Sequence, residues 1–220
     1  MTVTAATLAG MERDPGSFTL SLDGQESDGL LKCSQVVRAI PGRRLVCRGE
    51  WQGDDVFIKL YLGTDKLFSK ELQGLNALHA ADIAAPRIRY SGTADAGAIH
   101  VILLEPVQPA VTLEAAWEAT ANEQSRIELL GKSVCVIADH HRAGLEQRDI
   151  HLDNFLLSGS RLFTLDGGGI YTSAGSELSV NNSRDNLALF FAQFYPGYDQ
   201  LVDAVLPVYE KQRQFKAGTL

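Results

Sequence analysis

The spacing of apolar residues changes period several times along the chain, and each change marks an element. "SFTLSLDGQ", residues 17–25, reads as one strand closing on an Asp-Gly turn. "SQVVRAIPGRRLVCRGEWQGDDVFIKLYL", residues 34–62, holds two or three apolar stretches parted by Pro-Gly and Gly-Asp, the pattern of an antiparallel meander. The period then changes. Leu67, Leu72, Leu75 and Leu78, with Phe68 nearby, recur at helical intervals until Pro86 stops the helix. "RIRYSG" and "AIHVILLEPV" return to strand, and the two prolines of "EPVQPA" suit a short connector. Beyond it Thr112 is placed to cap a helix with Glu114 in the first turn, a longer helix runs from about Asn122 to Arg142, and Gly144 fits its stop. Residues 147–169 read as strand, turn, strand, and two helices broken at "YPGY" follow from Ser183.

The first half is therefore strand-rich with one helix, and the second helix-rich with one hairpin. This predicts a two-lobed α+β fold, an antiparallel sheet with one helix followed by a mainly helical lobe. Residues 1–34 form an extension or extra strands, 35–105 the first lobe and 106–220 the second. No repeat or low-complexity tract interrupts the pattern.

Composition narrows the function without naming it. A net charge of −7 over 220 residues argues against a nucleic-acid binder, which presents a basic face. No apolar run is long enough to span a bilayer. "MTVTAATLAGMERDPGS" lacks the basic start and apolar stretch of a signal peptide, so a cytoplasmic location is expected. Cys33, Cys47 and Cys135 are odd in number and widely spaced, as reduced thiols would be.

The densest chemistry lies in "QRDIHLDNFLLSGSRLFTLDGGG", which sets Asp149, Asp153, Asn154 and Asp166 around two short apolar segments. Acids are poor strand formers and costly to bury, so this is either a solvated hairpin or a binding site. Phosphoryl transfer from a nucleotide requires a base to orient the attacking hydroxyl, oxygen ligands for magnesium, a cation on the phosphates and a group to hold that cation. Asp149 with Asn154 five residues on has the base-and-metal spacing. Asp166 before Gly167–Gly169 stands where a second metal ligand belongs. "VFIKLYL" puts Lys59 in a strand, and "SKELQGL" puts Glu71 on the next helix. Lys, Glu, Asp, Asn and Asp thus occur in the required order. A phosphoesterase built on Asp149, Asp153 and Asp166 leaves Lys59 and Glu71 unused. A zinc site is disfavoured, because adjacent His140 and His141 point in different directions from one helix. Trp51 and Trp117 read as packing residues.

These residues resemble the protein-kinase-like superfamily, and over residues 36–195 they are most similar to the bacterial lipopolysaccharide core kinases, which act on Kdo or heptose. "ADHHRAGLEQRDIHLDNFLL" and "RDNLALFFAQF" carry the resemblance. It implies Asp149 as catalytic base, Asn154 and Asp166 as magnesium ligands, and Lys59 on the phosphates of ATP with Glu71 as its partner. Adenine is expected near "LLEPV", against backbone from Glu105 to Val107. The acceptor would be a glycan or lipid-linked sugar, with association at the membrane peripheral.

The departures from the family pattern are specific. Gln147 replaces the usual histidine of the His-Arg-Asp or His-Gly-Asp triplet. No Gly-x-Gly-x-x-Gly is present, so the stretch around Arg43, Arg44 and Arg48 must supply any phosphate cover. There is no Ala-Pro-Glu, and residues 170–182 are few, which favours a small-molecule or glycan acceptor over a protein. His151 occupies a position often histidine in such loops. Asp185 reads either as half of a surface pair with Arg184 or as an anchor beneath the loop. An aminoglycoside- or choline-type phosphotransferase and a nucleotide-binding pseudokinase remain alternatives.

Overall fold

The computed structural model describes residues 3–10, 16–25, 29–173 and 177–214. The chain divides into two compact units, Met1–Leu72 with Pro86–Pro106, and Gln73–Ala85 with Val107–Leu220.

The first unit is built on a sheet. After a short helix α1 (Ala5–Gly10) come β1 (Phe18–Ser21), β2 (Leu30–Ile40), β3 (Arg44–Trp51) and β4 (Asp54–Leu62). Helix α2 (Lys66–Ala80) follows, then β5 (Ile88–Ala94) and β6 (Ile99–Leu104). The six strands pair antiparallel in the order β1-β2-β3-β4-β6-β5. Alternation decides what each face does: Val56, Ile58 and Leu60 of β4 point into a core shared with Leu31, Cys47, Val101 and Leu103. Phe57, Lys59 and Tyr61 take the other face. The start of α2 packs there, with Phe68 edge-on to Tyr61 and stacked on His100 at 4.9 Å between ring centres. β1 and the early residues of β2 are integral to this sheet, so "SFTLSLDGQ" contributes an edge strand. The apolar stripe expected of α2 is only partly inward: Leu75 and Leu78 are fully buried, whereas Leu67 in the first turn is 39% exposed.

The second unit is mainly helical. It contains β7 (Val111–Thr112), α3 (Leu113–Ala119), α4 (Glu123–Arg142), β8 (Leu145–Gln147), β9 (Phe155–Ser158), β10 (Arg161–Thr164), β11 (Ile170–Thr172), α5 (Val180–Ala192) and α6 (Asp199–Arg213). The caps are those the side chains dictate. Thr112 Oγ1 accepts from the Ala115 amide at 3.1 Å, Asn122 Oδ1 from Ser125 at 3.0 Å and Ser179 Oγ from Asn182 at 3.2 Å. The Ser179 cap starts α5 three residues ahead of the expected Ser183. Gly144, with φ 71°, supplies the left-handed turn that ends α4. Two pairings were not legible in the pattern: β7 beside β9, and β8 antiparallel to β11. At two or three residues each, β7, β8 and β11 are too short to show a period.

Helices α4, α5 and α6 share one core with Phe155 and Trp117, and Trp117 meets Phe194 edge-on at 5.0 Å. Trp51 also packs, against Tyr90. All three cysteines are free thiols. Among the described residues no helix is long and apolar enough to cross a membrane.

His140 and His141 are fully buried in the second unit, and neither is part of a metal cluster among the described residues. His140 Nε2 lies 3.0 Å from Thr164 Oγ1. His141 Nδ1 lies 2.7 Å from the Tyr209 hydroxyl and its Nε2 lies 3.0 Å from Asn186 Oδ1. Burial, with the neighbouring His141, pushes the His140 pKa from 6.5 down to about 3. Burial pushes His141 down to about 4, the Arg213 charge adding to this and the Asn186 contact opposing it. Both rings are neutral in the fold and gain protons near pH 6.5 only when it opens. The stability that the two neutral rings contribute is therefore fully present above that pH and is lost as pH falls from 6.5, towards about 4 for His141 and about 3 for His140. The expected slope is about 1.4 kcal/mol per pH unit for each ring. Melting curves from pH 7.5 to 4.5 should show this decline, and a His140→Gln variant should show it at a reduced slope. A melting temperature flat over that range would refute buried neutral histidines.

Candidate active site

The loop after β8 is held from several sides by amides. Gln147, fully buried, sends Nε2 towards the Asp149 carbonyl at 3.3 Å. Asn154 Nδ2 donates to the same carbonyl at 2.6 Å. Below the loop, Asn186 Nδ2 donates to the Gln147 carbonyl at 2.8 Å. Because that bond uses its nitrogen, Asn186 must present Oδ1 to His141, and His141 must carry its proton on Nε2. His141 Nδ1 then accepts from the Tyr209 hydroxyl. A buried chain of donors thus runs from α6 through α4 and α5 to the Asp149 backbone. Gln193 adds a second brace, accepting from the Leu152 amide and donating to the Ile150 carbonyl, each at 3.3 Å.

These contacts move the anchor beneath the loop by one residue. Asp185 is exposed on α5, so the anchor beneath the loop is its neighbour Asn186, whose neutral amide can both donate and accept. Gln147 supports the loop through its side-chain amide. Helical phase was the available signal: position 186 aligns with buried Ser183, Leu187 and Phe190, and position 185 does not.

The hairpin β9–β10 then brings the aspartate of the returning strand to the loop. Asn154 receives the Leu165 amide on its carbonyl at 2.9 Å, which sets Asp166 one residue away. Asp166 caps a single 3₁₀ turn over Gly167–Gly169, its Oδ1 accepting from the Gly168 amide at 3.1 Å. The turn returns to the loop where the Arg148 amide donates to the Gly169 carbonyl at 2.9 Å. The Asn154 side-chain amide thereby ties Asn154 to Asp149, and a backbone bond holds the segment of Asp166 beside them.

The surrounding charges are defined. Asp149 Oδ1 pairs with His151 Nε2 at 3.2 Å, both side chains largely exposed. Arg148 pairs with Glu146 at 3.1 Å and lies 3.8 Å over the Tyr171 ring. Asp153 is exposed beside Glu114, whose carboxyl it holds above its ordinary pKa.

In the first unit, Lys59 Nζ is ion-paired to Glu71 Oε1. Lys59 faces the side of β4 on which α2 lies, and the side chains are only 12% and 1% exposed. Neither residue has the solvent-facing placement that isolated strand and helix positions would allow. Arg44 and Arg48 stand within β3, so only Pro41, Gly42 and Arg43 lie in the turn, and the Arg48 guanidinium sits 5.3 Å from the Phe57 ring centre. The Glu105 amide is taken by the Arg87 carbonyl at 2.8 Å. Val107 begins the next stretch of the second unit.

An antiparallel sheet with one helix, followed by a helical unit bearing a loop–hairpin of this kind, is a protein-kinase-like fold. Among solved structures the chain is similar to WaaP, in a structure described as WaaP in complex with acyl carrier protein. The TM-score is 0.59 at 23% identity, over 81% of this chain and 80% of that one. No protein-family model and no curated protein sequence matches the chain.

The amide chain makes a specific stability prediction. Asn186→Ala leaves the Gln147 carbonyl and His141 Nε2 buried without partners, a loss of about 2–3 kcal/mol. Urea unfolding should show it as a lower midpoint, and an unchanged midpoint would remove Asn186 from the role of anchor.

Proposed function

We propose that the chain is an ATP-dependent kinase that phosphorylates a sugar hydroxyl, heptose or Kdo, of the lipopolysaccharide inner core. The observation that carries the proposal is the convergence of Asp149, Asn154 and Asp166, through the Asn154 bond to the Asp149 carbonyl and the Leu165 bond to the Asn154 carbonyl. The fold likeness to WaaP, a lipopolysaccharide core heptose kinase, supports the same reading.

In this reading Asp149 accepts a hydrogen bond from the acceptor hydroxyl and aims its lone pair at the γ-phosphorus. The new O–P bond forms as the bond to the β–γ bridging oxygen breaks, and the hydroxyl proton passes to Asp149. Lys59 binds phosphate oxygens, and its ion pair with Glu71 holds the ammonium in place. The oxygen donors of Asp166 and Asn154 suit magnesium, which takes hard ligands and retains waters. Asn154 fits that role because its Nδ2 is committed to Asp149, leaving Oδ1 as its free donor. Bound magnesium supplies charge neutralisation on the phosphates. Arg44 is assigned to the phosphates, and backbone at Glu105 and Val107 to the adenine.

The kinase would work at the inner face of the cytoplasmic membrane through peripheral contact. WaaP's complex makes an acyl carrier protein a partner to test. The second reading, an aminoglycoside- or choline-type phosphotransferase, is favoured by one observation: the acidic pair Asp153 and Glu114 beside the loop, which suits an amine acceptor.

Asp149→Ala and Asp166→Ala should each lower phosphoryl transfer to core oligosaccharide by about 100-fold or more without unfolding the chain. Full activity in either variant would refute the assignment. ATP should raise the melting temperature of the wild type in a magnesium-dependent way that Asp166→Ala abolishes. A shift indifferent to both metal and mutation would mark a pseudokinase.

A further inference from the structure

Helix α2 carries a glycine in its interior, Gly74, although glycine is the weakest helix former after proline. A Cβ at Gly74 would lie 1.9 Å from the carbonyl oxygen of Gly167, 2.6 Å from its carbonyl carbon and 2.9 Å from its Cα. All three atoms are backbone, so no side-chain rotation could relieve the overlap. Both residues belong to the same compact unit.

Gly167 directly follows Asp166 and opens the 3₁₀ turn that Asp166 caps. The far end of that turn is also confined. A Cβ at Gly169 would lie 3.1 Å from Gln147 Nε2 and 3.3 Å from the Asp149 Cβ, and the Gly169 carbonyl accepts from Arg148. The turn is therefore gripped at one end by the Asp149 loop and at the other by the bare backbone of α2. A side chain at position 74 would push Gly167 away, and with it the capped carboxylate of Asp166. The need for this approach explains why a poor helix former stands in the middle of α2.

We propose that Gly74 is a positioning residue for the metal aspartate: by admitting the Gly167 carbonyl against α2, it fixes where the Asp166 carboxylate points. The proposal rests on the kinase reading, in which Asp166 binds magnesium. It concerns how the metal ligand is placed, and Gly74 itself touches neither metal nor nucleotide.

The test is calorimetric titration of ATP, with and without magnesium, into wild type, Gly74→Ala and Asn76→Ala. Asn76 is an exposed residue of the same helix and serves as control. Gly74→Ala should weaken magnesium-ATP binding by about tenfold or more, the usual scale for disturbing the support of a metal ligand. Metal-free ATP binding should be unaffected, and Asn76→Ala should match the wild type. Because alanine is the better helix former, general loss of helix does not predict this split. Equal magnesium-ATP affinity in Gly74→Ala and wild type would overturn the proposal. A wild type with no magnesium-dependent binding would instead overturn the kinase reading, and the proposal with it. Amide exchange on the wild type gives an independent check should Gly74→Ala not fold. Exchange in residues 73–78 should slow on adding magnesium to the ATP-bound protein, and no change there would count against the proposal.

Discussion

The carbonyl of Asp149 receives two side-chain amides, from Asn154 and from Gln147, besides the backbone amide of His151, and the loop is folded around that acceptor. Here the constraint falls on the backbone, so the Asp149 carboxylate stays at the surface with His151 as its neighbour. Neutral amides suit this task because they can donate to carbonyls in a buried place without bringing a charge out of water. Asn186 extends the same chemistry one layer deeper, and His141 and Tyr209 carry it into the helical core.

That extension links folding to the site. The two histidines are neutral because burial disfavours the charged ring, and a neutral ring can donate at one nitrogen while accepting at the other. His141 does both, so its protonation state, its tautomer and the orientation of Asn186 are one structural fact. The ion pair of Lys59 and Glu71 in the first unit is governed by a different rule. A lysine and a glutamate this far from solvent are tolerated because each compensates the other.

Much of this was legible in the sequence where the signal was local. Thr112, Asn122 and Gly144 mark helix ends by chemistry acting over three or four residues, and the structure uses all three. The meander through β4 and the periodic leucines of α2 are pattern effects of the same kind. The residues from Lys59 to Asp166 stand out in the sequence by their order and spacing. Less was legible where an element is short or a contact distant. Strands β7, β8 and β11 have no periodicity to detect, and only helical phase, which puts Asn186 on the buried face with Ser183 and Phe190, separates it from Asp185.

The sequence by itself determined the strand meander through β4, the periodic helices α2 and α4, the ends of α4 at Asn122 and Gly144, and which side chains have the chemistry for phosphate and metal. Those properties follow from neighbours along the chain. Only the tertiary structure decided that Asn186 anchors the loop, that Glu71 reaches Lys59, and that Gly74 lies against Gly167. Each depends on residues far apart in sequence being packed at close range, where a single amide or a missing Cβ determines what can approach.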